Sequence, residues 1–285
     1  MPSRTLPAAS VRQRRLGSEL RRLRRSAGLT AGQAGALDGS SQPRISSIES
    51  GRYGVSAERV RALTRIYGCL DEAYVEALAE MTGGRTRGWW DAYRDLLAPD
   101  ALDLAELEHH APAMRTASAV HLPGLLQTRA HAYAVISDAV PSLAPYEVEH
   151  RVSFRIKRQA VLYGAASARL TAIVHETALR LDLGGPAVAR EQLRFLLDMG
   201  ARDNVTVRVL PFGTGTSPGA GGGICYLSGA VPALDTVQLD AEHGSMLLDS
   251  PAHLAGYRTV LDRLEARSLD EAASRELIRR IAARL

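Results

Sequence analysis

The stretch SSQPRISSIESGRYG at residues 40–54 concentrates an amide, two guanidinium groups and a run of hydroxyls in a short length of chain. Ile45 and Ile48 are three apart, the spacing of the buried side of a short helix, which leaves Gln42, Arg44, Ser46, Ser47, Ser50 and then Arg52 for the opposite side. An amide and a guanidinium are the groups that pair in bidentate fashion with adenine and guanine edges in the major groove of a duplex. Gln42 and Arg44 are therefore the expected base readers. Ser41, Ser46, Ser47 and Arg52, with the N–H groups at the helix start, suit phosphate oxygens.

Charge points the same end of the chain at a polyanion. Residues 1–67 carry thirteen arginines against four acidic residues, Glu19, Asp38, Glu49 and Glu58, a formal +9 within a chain of 285 residues whose net charge is +4. The remaining 22 basic and 27 acidic side chains give −5. Each arginine that neutralises a phosphate releases condensed counterions, so double-stranded DNA is the natural partner of the first segment and a poor partner of the rest. Lys157 is the only lysine, so a taste for arginine is general to the chain and the local excess carries the reading.

The elements that must position these side chains are helices. Residues 1–15 read as a mobile basic tail, with structure starting near Val11. Leu16, Leu20, Leu23 and Ala27 recur at helical spacing, Arg21, Arg22, Arg24 and Arg25 fill the other face, and Gly28 supplies the stop. Thr30 caps a second helix that contains Gly32 and Gly35, each costing roughly 1 kcal/mol relative to Ala. Asp38, Gly39 and Ser40 form the turn, Ser41 or Gln42 opens the third helix with Pro43 in its first turn, and Gly51 ends it. Ser56 and Asp71 cap a fourth and a fifth helix. Five short helices over residues 16–81 make a helix-turn-helix bundle, and the glycine-rich segment 82–88 reads as a linker.

Beyond it, residues 89–285 change texture. Trp89, Tyr93 and Leu96 share a helical face with Trp90 and Leu97 beside them, an aromatic cluster for core or interdomain packing. Helical or loop segments continue to residue 136, and 147–162 is a charged helix. Period-two alternation then predicts strands at 169–176, 205–211, 224–229, 235–240 and 245–249, with a helix at 186–200 between the first two. Two final helices, 250–267 and 268–285, open on Ser250 and Ser268 as caps. The expected fold is an α+β domain with a small, largely antiparallel sheet behind a mainly helical N-terminal bundle.

The segment LRRLRRSAGLTAGQAGALDGSSQPRISSIESGR resembles the Cro/cI-type, or Xre-family, helix-turn-helix, chiefly through Ile45, Ser46, Ile48, Glu49, Gly51 and Arg52. The resemblance implies that Gln42, Arg44 and Ser47 face bases, that Ala31 and Ser41 lie near phosphate, and that Glu49 is a structural acid of the third helix. Ala34 and Gly35 stand where such domains usually carry Leu-Ala, and Leu37 is displaced by one residue, which leaves the register of the second helix open. RGWWDAYRDLL (87–97), HLPGLLQT (121–128), GGPAVAREQL (184–193), NVTVRVLPF (204–212) and YRTVLDRLEARSL (257–269) are similar to the C-terminal domain of actinobacterial Xre-type regulators of the WhiJ-like group. That resemblance implies a transcriptional regulator, often encoded beside small partner proteins, with no catalytic activity and no identified ligand.

No other constellation carries chemistry as far. GTGTSPGAGGG (213–223) lacks the Lys-Ser/Thr ending of a phosphate loop and connects two strands. His109–His110 and Glu242–His243 imply no third metal ligand, Cys69 and Cys225 are too far apart in sequence to make a zinc site alone, and His175 has no activated Ser or Cys companion, so it reads as a capping or pocket-lining residue. No cofactor is expected. No apolar run approaches the ~18 residues of a membrane span and the first residues lack a secretory apolar stretch, so the expectation is a cytoplasmic protein. A homodimer on DNA is expected, with an acidic C-terminal domain for dimerisation, docking of a small protein partner or sensing of a small-molecule effector. The rivals are a partner-switching module of toxin–antitoxin type, and an enzyme hidden in the C-terminal domain.

Overall fold

The computed structural model describes residues 9–82, 88–214, 223–241 and 244–285. Tail residues 1–8, linker residues 83–87, loop residues 215–222 and the pair Glu242–His243 lie outside the described residues. Two units divide the chain, Met1–Asp91 and Ala92–Leu285.

Among the described residues the first unit holds five α-helices: α1 (Val11–Ser26), α2 (Ala31–Leu37), α3 (Gln42–Glu49), α4 (Ala57–Ile66) and α5 (Glu72–Glu80). α1 begins earlier than the expected boundary at residue 16, because Ser10 and Gln13 close a reciprocal capping box around its first turn; residues 11–15 are helix, not tail. Thr30 and Gln33 close the same box on α2, and Ser56 and Asp71 cap α4 and α5. Leu20, Ile45, Val60, Leu63 and Leu78 form the core, while Leu37 is left 62% exposed because α2 turns Ala34 and Gly35 inward instead.

In the second unit come α6 (Pro99–His110), β1 (Ala113–Ser118), α7 (Arg129–Ser137), α8 (Pro145–Arg158), β2 (Arg169–His175), α9 (Glu176–Arg180), α10 (Pro186–Met199), β3 (Val205–Leu210), β4 (Ile224–Leu227), β5 (Thr236–Ala241), β6 (Gly244–Leu248), α11 (Pro251–Arg267) and α12 (Glu271–Ala282). The six strands form one sheet in the order β3-β2-β1-β4-β5-β6. β1, β2 and β3 are parallel, joined by helical crossovers, and β4, β5 and β6 add an antiparallel arm, so the sheet is mixed, with three of its five pairings antiparallel as the expected largely antiparallel sheet requires. One face packs against Leu193, Leu196 and Ile278 of α10 and α12; the other packs Ile173, Tyr226 and Val237 against Leu254, Leu261 and Leu264 of α11.

All five expected strands are present, and β1 is an addition. Its sequence AMRTAS has one β-branched residue and reads as neither period, yet it pairs on both sides, with β2 and with β4. Central position, not propensity, makes it a strand. Ser268 is not the cap of the last helix. Asp270 takes that place, accepting from the N–H of Ala273 at 2.8 Å, while the Ser268 hydroxyl donates to the carbonyl of Glu265 at 2.7 Å and accepts from Arg208 at 2.8 Å. A carboxylate gains more than a hydroxyl from the positive end of the helix dipole.

Candidate nucleic-acid interface

The frame behind α3 is built from close backbone approach and one ion pair. A Cβ on Gly17 of α1 would lie 2.6 Å from the carbonyl oxygens of Ile48 and Glu49, and one on Gly35 of α2 would lie 2.9 Å from the carbonyl oxygen of Ser40. Glycine at these two positions lets α1 press on the end of α3 and α2 on its beginning. Arg24, expected on the outer face of α1, is buried instead. Its Nε and Nη2 donate to Glu49 at 2.6 and 2.8 Å, and its Nη1 donates to the carbonyl of Leu29 at 2.6 Å. Fork-to-fork pairing of this kind fixes orientation as well as charge. Glu49 thus holds the C-terminal end of α3, and Ile45 and Ile48 close the inner side at 1% and 3% exposure.

At the turn, Arg59 pairs with Asp38, whose carboxylate also accepts from the Ser40 hydroxyl at 2.8 Å. A second buried set lies along α1, where Glu19 accepts from Tyr74 at 2.6 Å and pairs with Arg15 at 2.9 Å. Burial pushes the Tyr67 hydroxyl up to about 12, with the charge of Glu49 adding to the shift.

On the outer side, Gln42 is exposed and its Nε2 reaches the Ser46 hydroxyl at 3.4 Å. Arg44 is half-buried: its guanidinium lies over the ring of Tyr53, 3.6 Å from the centroid, and its Nε finds no hydrogen-bond partner among the described residues. Ser47 is half-buried, and its carbonyl accepts from the N–H of Tyr53 and the Ser50 hydroxyl, both at 3.1 Å. Ser41 caps α3 by backbone conformation only, leaving its side chain without a cap bond. Exposed Arg52 donates to the Ser50 hydroxyl at 3.0 Å, and Ala31 is the first residue of α2. Gln42, Arg44, Ser46 and Ser47 thus lie on one helix, with Ser41 and Arg52 at its two ends. Tyr53 is not legible as a member of this set from the sequence, because it lies past the end of α3, where helical periodicity no longer assigns a face.

Trp89 and Trp90 meet edge to face, with ring centroids 5.9 Å apart, and Trp90 rather than Trp89 is the buried member. Tyr93 stacks edge to face on Phe154 at 5.0 Å and its hydroxyl lies 3.2 Å from that of Ser153, while Leu96, expected on the same buried face, is 46% exposed. The segment is a short 3-10 helix with three residues per turn, which breaks the α-helical face.

Elsewhere, the His175 ring accepts from the N–H of Thr177 at 3.2 Å and caps α9. Burial works against ionisation of the neighbouring Glu176, but the N–H of Phe212 and the guanidinium of Arg180 outweigh it and hold the carboxyl below the usual range. No group of three metal-ligating side chains occurs among the described residues, and no described helix is long and apolar enough to cross a membrane.

Comparison with known families finds two matches. A helix-turn-helix domain matches residues 15–78, a span that holds most of α1 and all of α2 to α4, and a domain of unknown function, DUF5753, matches residues 101–280. No curated protein and no solved structure matches the chain. The larger match covers well over half of the sequence: the chain belongs to the DUF5753 family, behind a helix-turn-helix domain of the kind found in DNA-binding regulators.

Proposed function

We propose that the protein is a cytoplasmic, sequence-specific transcriptional regulator of the Xre type and of the WhiJ-like group, with α3 in the major groove of its operator. Gln42, Arg44 and Ser47 read bases; Ala31, Ser41, Ser46 and Arg52 contact phosphates. The observation that carries this reading is that the amide of Gln42 and the guanidinium of Arg44 stand on the outer side of α3 while Ile45, Ile48 and the Arg24–Glu49 pair lock its inner side. A rigid helix with fixed donors is what direct readout requires.

The protein acts as a homodimer whose recognition helices lie ~34 to 36 Å apart on one face of the duplex. The second unit is not an enzyme; it supplies dimerisation, docking of a small protein partner or sensing of an effector. Its excess of acidic over basic residues favours the docking role, as in a partner-switching pair. Sequencing the DNA retained by the full-length protein from fragmented genomic DNA tests the proposal. A shared motif with two-fold symmetry is expected, and its loss in a Gln42→Ala, Arg44→Ala variant. Retention of the same motif by that variant, or of unrelated fragments by the parent, would overturn it.

A further inference from the structure

An open sheet has two edges, and the two edges of this one differ. β3, at one edge, is closed by its own chain. The N–H of Leu269 donates to the carbonyl of Val209 at 2.8 Å, the N–H of Val209 donates to the Ser274 hydroxyl at 2.9 Å, and the Arg208 guanidinium donates to the Ser268 hydroxyl at 2.8 Å. β6, at the other edge, pairs with β5 on one side and with no strand on the other among the described residues.

In an antiparallel pair, successive residues turn their N–H and C=O alternately towards the partner strand and away from it. The N–H of Ser245 donates to Oδ2 of Asp100 in α6 at 3.3 Å, which marks Ser245 as an outward residue of β6. Leu247, two residues on, is outward too, and neither its N–H nor its carbonyl has a partner among the described residues. The strand, GSMLL, carries no charge and no proline, two of the devices that keep an edge from pairing. Met246 lies opposite Leu239 of β5 and so on the same face of the sheet, as does Leu248, opposite Val237. Leu239 and Leu248 pack against the apolar cluster under α11, whereas Met246 is 53% exposed. The apolar face runs out to the edge and ends in solvent.

We infer that β6 is a homodimerisation edge, pairing antiparallel with β6 of a second copy about a two-fold axis at Leu247, so that the two six-stranded sheets become one. Two features select a second copy over an extended segment of another protein. A residue with a free donor and a free acceptor is matched by its own image, which returns both bonds at once, and isologous pairing of this kind closes at two copies. Asp100 already holds the neighbouring outward N–H at Ser245, so a longer foreign strand finds no continuous ladder to extend. With the axis at Leu247, Met246 of each copy stands opposite Leu248 of the other, which covers the exposed thioether, and a neutral strand brings no like charges together. The pairing is short, so association depends on concentration and is not permanent. This edge gives the homodimer of the proposed regulator its surface and depends on that reading.

Sedimentation equilibrium of the full-length protein, without DNA, over a roughly hundredfold range of concentration reads the association. A monomer–dimer equilibrium is expected. Met246→Lys places two ammonium groups near the axis on side chains that are already exposed, and should weaken it roughly tenfold or more while circular dichroism stays that of the parent. Oxidative cross-linking reads the register. Leu247 and its image form a hydrogen-bonded pair with Cα atoms about 5.5 Å apart, within the span of a disulfide, so Leu247→Cys should give a covalent dimer. Ser245→Cys, opposite Asp249 of the second copy, should not, and neither should the parent with its free Cys69 and Cys225. If Met246→Lys does not fold, the two cysteine variants decide. A parent that stays monomeric throughout overturns the inference. So does an association that Met246→Lys leaves unchanged and Leu247→Cys does not cross-link, in which case the homodimer stands on another surface and the DNA-binding reading is untouched. A small protein that binds the parent monomer and is lost with Met246→Lys would give the edge to that partner and overturn it equally.

Discussion

The guanidinium of Arg44 lies 3.6 Å from the centroid of the Tyr53 ring, and the N–H of Tyr53 is tied to the carbonyl of Ser47 at 3.1 Å. The aromatic face restricts the rotamers of Arg44 before any contact with DNA, which lowers the entropy lost on recognition. Arg44→Ala should weaken operator binding by ~1 to 3 kcal/mol and relax base preference at one position. Tyr53→Leu should lose a smaller part of that, ~0.5 to 1 kcal/mol, and Tyr53→Phe almost none, because the ring alone makes the contact. Fluorescence anisotropy on operator and single-base variants reads all three. Equal affinity of Tyr53→Leu and the parent would remove the ring from the mechanism.

Arg52 is expected to act on the backbone of the duplex. Arg52→Ala should lower affinity on operator and random duplex alike and reduce the slope of log Kobs against log salt by about 1. A loss confined to the operator would move Arg52 among the base readers.

Three glycines of the first unit separate helix propensity from packing. Propensity alone makes each Gly→Ala change stabilising by roughly 1 kcal/mol. A methyl group on Gly32 would meet only the Thr30 hydroxyl, at 3.9 Å, so Gly32→Ala should raise the thermal midpoint. At Gly17 and Gly35 the same methyl meets backbone carbonyls at 2.6 and 2.9 Å, so Ala there should destabilise the unit by about 1 to 3 kcal/mol. Urea unfolding of the three variants should give opposite signs.

His131 makes the second unit acid-sensitive. Burial, then the positive charges of His121 and Arg155, lower it from 6.5 to about 4. Between those values the unfolded chain binds a proton that the folded one does not, so stability falls as pH drops from 6.5 towards 4. The loss is complete below the folded value. His131→Leu should remove this part of the pH dependence and raise stability at pH ~5 more than at pH ~7. Parallel pH profiles of parent and variant would show that His131 is protonated within the fold.

Features that depend on near neighbours were readable from residue order alone. Ile45 and Ile48 at helical spacing, the caps Thr30, Ser56 and Asp71, and the excess of arginine before residue 67 are local, so the bundle and the polar helix within it are legible in the sequence. So are five of the six strands. Three-dimensional packing settled what depends on residues far apart in the chain. It turned Arg24 inward onto Glu49, laid Arg44 on Tyr53, put the unpromising AMRTAS at the centre of a mixed sheet, and joined Arg158 of α8 to Glu108 of α6. The division arises because periodicity records which face of an element is apolar. The partner of a charge or a central strand is chosen by long-range packing, which leaves no local period to read.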